Sequence, residues 1–133
     1  RKFHEAKVNG DYSVSVWGSG LPKREFLYVD DMASASIFLM ELDKKSFQKI
    51  TKKMASHLNV GYGSDITIKE LAQKISKVVC YSGTITFDDN MPDGAPRKLM
   101  DSRKFATLGW KPKVGLDEGL SLAYLDFVKN HNS

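Results

Sequence analysis

Three kinds of side chain in this sequence have the chemistry to hold a phosphorylated nucleotide ligand. Lys2, Arg24, Arg97 and Lys98 are cations, and an arginine fork grips two phosphate oxygens at once. Trp17, followed by Gly18-Ser19-Gly20, offers a flat apolar wall for a base or sugar ring. Asp93, inside Met91-Pro92-Asp93-Gly94-Ala95-Pro96, can accept from ribose hydroxyls or a base amide edge. Residue type alone leaves each of these open, because a surface cation is ordinarily solvated and a tryptophan is as often packed. Catalytic groups are another matter. His4, His57 and His131 lie far apart and in no nucleophile or metal motif, so no catalytic and no metal-binding residue is expected. His57 reads as structural, ahead of a strand, and His131 as solvated. Only His4 has neighbours of interest.

These side chains need elements to position them. Ser13–Trp17 alternates, with Val14 and Val16 on one face, which predicts a strand. The glycine-proline stretch to Pro22 breaks it. Glu25–Val29 reads as a second short strand. Asp30 and Asp31 then open a helix over Met32–Leu42, where carboxylates suit the positive end of the dipole. Asp43–Ala55 reads as a charged surface loop with at most a helical turn, and Leu58–Gly61 as a brief strand. Thr67 and Glu70 form a capping box before Ile68, Leu71, Ala72, Ile75, Val78 and Val79, an apolar face at helical spacing. Thr84–Asp88 predicts a strand with Ile85 and Phe87 inward. A short helix over Asp101–Leu108 stops at Gly109. A last helix over Leu116–Asn130 carries Leu116, Leu120, Ala123, Phe127 and Val128 as its core stripe.

Helices alternating with few, small strands give an α/β class of the α+β-like kind, helices packed on a small sheet. No Gly-x-Gly-x-x-Gly follows a first strand and opens a helix, so a dinucleotide-binding Rossmann domain is absent. Gly18-Ser19-Gly20 and Gly61-Tyr62-Gly63 match only half of that fingerprint and read as turns. The 133 residues suit one domain over 1–133. With 41% hydrophobic and 27% charged residues, the composition is that of an ordinary globular protein. No apolar run reaches the ~20 residues of a membrane helix, and no signal-peptide pattern opens the sequence. A net charge of +4 is too mild, and too interspersed with acids, to point to nucleic acid. A lone Cys80 beside Val78 and Val79 excludes an internal disulfide, reads as buried, and suits the cytoplasm. The sequence begins with Arg1, and Arg1–Ala6 reads like the tail of a helix already under way, so a fragment of a longer chain is expected.

Several segments together carry a family resemblance. Arg24, Phe26, Tyr28, Val29 and Asp31 form an Arg-x-Phe-x-Tyr-Val-x-Asp pattern that resembles extended short-chain dehydrogenases acting on nucleotide sugars. Arg1–Ala6, the Trp17-Gly18-Ser19-Gly20-Leu21-Pro22 stretch, Asn59–Gly63, Pro92–Asp101 and Leu108–Pro112 are similar to GDP-L-fucose synthases. The resemblance runs in order along essentially the whole chain, at the C-terminal, substrate-binding end of that family. It implies an NADPH-dependent epimerase and reductase that makes GDP-L-fucose from GDP-4-keto-6-deoxy-D-mannose and works as a homodimer when complete. It implies that NADPH and the catalytic residues belong to a missing N-terminal NADP-binding domain, so that this chain binds no cofactor and is inactive alone. It maps the GDP-sugar contacts onto Lys2, Trp17, Arg24, Asp93 and Lys98. Two alternatives stay open from the residues: the corresponding part of another nucleotide-sugar epimerase, dehydratase or reductase, or a stand-alone nucleotide-binding or interaction module.

Overall fold

The computed structural model describes residues 1–131, and the His131 side chain lies outside the described residues. Its elements run α1 (Lys2–Asn9), β1 (Ser13–Trp17), β2 (Lys23–Glu25), α2 (Val29–Glu41), α3 (Lys44–Ile50), β3 (Asp65–Thr67), α4 (Ile68–Val79), β4 (Thr84–Asp88), β5 (Arg97–Lys98), α5 (Arg103–Ala106) and α6 (Leu116–His131). The chain divides into two compact units that interleave in sequence. The first takes Arg1–Arg24, Asp65–Lys98 and Asp117–Ser133, and the second Glu25–Ser64 and Leu99–Leu116.

In the first unit, β1 and β4 pair in parallel, with Val14 opposite Ile85 and Trp17 opposite Asp88. The alternation expected of β1 holds: Val14 is buried and Val16 partly so, while Ser13, Ser15 and Trp17 face out. Helix α4 closes over this pair. Its capping box forms in full, Glu70 N donating to Thr67 Oγ1 and Thr67 N to Glu70 Oε2 at 2.8 Å, a device worth about 1 kcal/mol. Ala72 and Val79 from α4 join Phe3, Ala6, Val14 and Tyr81 in the core. Helix α6 lends a weaker face than expected. Leu120, Phe127 and Val128 are only half-buried and Ala123 is exposed. The second, three-stranded sheet has the order β3-β2-β5, with Lys23 opposite Arg97 and Arg24 opposite Lys98 in parallel register.

In the second unit, Phe105 is 1% exposed and meets the rings of Phe38 and Trp110. The buried Asp31 is 3% exposed. It accepts from Lys113 N at 3.0 Å and Val114 N at 2.9 Å, so its charge is met by two backbone donors that would otherwise be orphaned.

Five expectations from the sequence shift. The second strand is Lys23–Glu25 rather than Glu25–Val29, because the residues that pair with Arg97–Lys98 take the strand and Val29 already starts the helix. Asp30 and Asp31 therefore sit in the first turn of α2 rather than capping it. Lys44–Ile50 is a full helix, since Asp43 Oδ1 accepts from Lys45 N and Ser46 N and caps it. Leu58–Gly61 is not a strand among the described residues: an extended segment counts as one only when a neighbour supplies a ladder. His57, just ahead of it, is exposed. Cys80 is exposed rather than buried. It adopts φ 57° and ψ 45° as the left-handed cap of α4, a conformation usually left to glycine or asparagine, which turns its side chain away from the apolar face that precedes it.

Candidate functional site

The carboxyl ends of parallel strands are where α/β proteins bind ligands. Here β1 and β4 end together at Trp17 and Asp88, and two loops leave from them, 18–22 and 89–96. Their backbones stay side by side: Gly18 N donates to Asp88 O at 2.9 Å, and Lys23 N to Pro96 O at 2.8 Å. All five site residues expected from the sequence lie on or beside these loops.

Trp17 stands at the end of β1 with 67% of its surface open, so it is a wall and not a core residue. Lys2, from the first turn of α1, donates to Ser15 O at 3.3 Å and holds its ammonium 5.5 Å from the centre of the indole. That cation–π contact, worth roughly 0.5–1 kcal/mol at an exposed site, keeps the charge beside the ring. Arg24 Nη1 donates to Lys23 O at 2.7 Å and Ala95 O at 2.9 Å. Two carbonyls thus fix the guanidinium plane, and among the described residues its other nitrogens meet no acceptor. Lys98 is its cross-strand neighbour and makes no ion pair among the described residues. Arg97, the fourth candidate cation, faces elsewhere. Its Nη2 lies 3.2 Å from Asp65 Oδ1 and its Nε also binds that carboxylate. Asp65 is 7% exposed and is held below the usual carboxylate range by the Arg97 hydrogen bonds, so Arg97 is spent on structure.

Asp93 is placed differently from the reading that made it a free acceptor. Its Oδ1 accepts from Ser19 N and its Oδ2 from Ser19 Oγ, both at 2.7 Å. Ser19 Oγ in turn accepts from Leu21 N at 3.1 Å. Gly18 makes this possible: it has φ +78°, and a Cβ there would sit 2.4 Å from Asp93 Oδ1. Ser19 is the residue that sequence reasoning missed. It lies 74 positions from Asp93, and a serine between turn glycines gives no local sign of such a partner.

His4 belongs to the packing of the first unit, Nδ1 lying 3.0 Å from Tyr124 Oη and its ring against Phe127. The second unit has a cleft of about 470 Å³ beside Tyr62, Trp110 and Arg103. Arg103 is forked onto Asp101, whose carboxyl it lowers to about 2, and Lys111 also lines that cleft. Among the described residues no cluster of His, Cys, Asp or Glu could hold a metal ion. No helix among them is long and apolar enough to cross a membrane. Gly18-Ser19-Gly20 leads from β1 to a strand and not to a helix N-terminus, and a Cβ on Gly20 would meet the Phe87 ring at 2.4 Å, so that turn is glycine-rich for packing.

Residues 1–61 match the NAD dependent epimerase/dehydratase family. The chain superposes on the crystal structure of a GDP-6-OMe-4-keto-L-xylo-heptose reductase from C. jejuni with a TM-score of 0.86 at 33% identity, covering 99% of this chain and 46% of that one. The fold is that of the corresponding part of the nucleotide-sugar epimerases and reductases. The chain is similar over nearly its whole length to GDP-L-fucose synthases. It is 51% identical over 132 residues to the Escherichia coli (strain K12) protein of that name, and 52% identical over 130 residues to GDP-L-fucose synthase 1 of Arabidopsis thaliana. It covers 99% and 98% of itself in these matches but 41% and 38% of the relatives, so it spans about two fifths of the length of the curated relatives it matches.

Proposed function

We propose that this chain is the GDP-sugar-gripping part of an NADPH-dependent epimerase-reductase that makes GDP-L-fucose from GDP-4-keto-6-deoxy-D-mannose. The observation that carries this reading is the pair of cross-linked loops at the carboxyl ends of β1 and β4, with an open indole and three available cations, Lys2, Arg24 and Lys98, on or beside them. A nucleoside diphosphate asks for that combination. Its pyrophosphate takes the guanidinium and ammonium groups, and its base or sugar takes the flat ring. Asp93 lies on the same surface, with lone pairs left over from Ser19 for a donor on the ligand.

The division of labour follows. Grip on the non-reacting GDP end supplies binding energy that orients the sugar for chemistry done elsewhere. The catalytic groups and the NADPH site belong to the part of the longer enzyme outside this chain, so the chain alone has no reductase or epimerase activity. The longer enzyme works in the cytoplasm as a homodimer. One further feature supports a missing neighbour. Val29, Met32, Ala33, Ser36, Ile37 and Met40 are all exposed and fall within one arc of roughly 140° on α2 at 100° per residue. Met40 is 86% exposed. A contiguous apolar stripe of this kind marks a surface that another part of the protein covers.

Chemical-shift mapping tests the assignment. GDP added to the labelled chain is expected to move the signals of Trp17, Ser19, Arg24 and Lys98. Shifts confined to Tyr62, Arg103 and Trp110, around the cleft of the second unit, would overturn it.

A further inference from the structure

The nucleotide surface just described depends on an indole at the edge of a glycine-rich loop, and such a loop has no rigidity of its own. Something must set where Trp17 stands. The candidate is a side chain that reaches across from the facing loop to the residues next to it. Asp93 takes both hydrogens that Ser19 can offer, the amide through Oδ1 and the hydroxyl through Oδ2, each at 2.7 Å. The bonds are short and charge-assisted, and using both oxygens fixes orientation as well as distance. The hydroxyl oxygen then accepts from Leu21 N at 3.1 Å, so one serine ties together three points of the chain. At the far end of the same loop, Arg24 Nη1 donates to Ala95 O, two residues beyond Asp93. The loops 18–22 and 89–96 are therefore stapled at both ends, and Trp17 and Arg24 stand just outside the two staples.

We infer that Ser19 is a positioning residue for nucleotide binding: through Asp93 it holds the Trp17 loop in the one arrangement that presents indole and guanidinium to the same ligand. Ser19 itself need not touch the nucleotide. The inference rests on the nucleotide-binding reading of this surface, and it assigns Asp93 a second duty besides any contact with ligand. Gly18 is part of the device, because a side chain there would occupy the place of Asp93 Oδ1.

The test is a double-mutant cycle on this chain with Ser19→Ala, Asp93→Ala and the pair, plus Ser19→Thr, which keeps the hydroxyl. Two readouts separate the claims. In the ligand-free chain, the Trp17 indole N–H signal is expected to move in Ser19→Ala and in Asp93→Ala, and to move no further in the pair. With GDP, Ser19→Ala is expected to weaken binding roughly 3- to 10-fold, the gain of one charge-assisted bond, and Ser19→Thr to restore it to within about twofold. Adding Ser19→Ala to Asp93→Ala is expected to cost less than about twofold more, since partners in one network do not lose affinity independently. A Ser19→Ala chain with an unmoved Trp17 signal and unchanged GDP affinity would overturn the inference, and so would losses that multiply. If the unaltered chain binds no GDP, the nucleotide reading fails, while the ligand-free Trp17 signal still decides whether the clamp sets the loop.

Discussion

The two units expose different kinds of surface. The first turns outward an indole and three cations, Lys2, Arg24 and Lys98, and braces them with hydrogen bonds between loops. The second turns outward Val29, Ile37 and Met40 from α2, and ties Arg103, one of several cations it carries, to Asp101. One acid in each unit differs in the same way. Asp31 in the second unit serves two backbone amides, a purely internal task. Asp93 in the first serves a loop whose neighbours face solvent. On the proposed reading, one surface meets a small, charged ligand and the other is covered by protein. The contrast shows why exposure alone says little: an open tryptophan and an open methionine stripe are equally apolar, and what surrounds them separates the two cases.

Substitutions can break that comparison, and the largest effect is expected from Asp31→Ala. It leaves the part-buried Lys113 and Val114 amides without their acceptor, each costing about 1–2 kcal/mol, the low end for a buried donor because water reaches part of the site. Thermal unfolding should show a loss of about 2–4 kcal/mol, a fall of order 10 °C for a chain of this size. Next comes Gly18→Ala, which puts a Cβ onto Asp93 Oδ1 at φ +78°. The left-handed backbone costs about 1–2 kcal/mol, and calorimetry should show GDP affinity lowered by at least about tenfold as the Ser19 clamp opens. The smallest effect sharpens the contrast. Met40→Glu, on an exposed position that this chain does not pack, should change stability by less than about 0.5 kcal/mol. It should leave GDP binding unaltered while lowering the fluorescence of a bound hydrophobic dye. If it instead weakened GDP binding, the two surfaces would not be separate in function.

What the sequence revealed followed the range of the interactions involved. The capping box at Thr67 and Glu70 and the apolar periodicity of α4 act within a few residues, and the helix stands where they place it. The alternation of Val14 and Val16 similarly located β1. The misplaced strand at Glu25–Val29 had suitable residues, Phe26, Tyr28 and Val29, but strands are decided by partners, and the partner is Arg97–Lys98, 74 residues away from Lys23–Arg24. Leu58–Gly61 failed for the same reason. Cys80 misled because its neighbours are apolar while its own backbone is left-handed, and nothing in a side chain announces that. At the candidate site, the residue types and the family resemblance pointed to Lys2, Trp17, Arg24, Asp93 and Lys98, which the fold sets on or beside the paired loops. The use of Asp93 was hidden, because its partner Ser19 is joined to it only through the pairing of β1 with β4.

The most direct measurement is a calorimetric titration of this chain with GDP and with UDP, repeated on Arg24→Ala. Saturable binding that favours GDP, and is weakened at least about tenfold by the loss of one bidentate phosphate contact, is the predicted result. Equal affinity for the two nucleotides, or a GDP affinity untouched by Arg24→Ala, would contradict the assignment of this loop surface as a GDP-sugar grip.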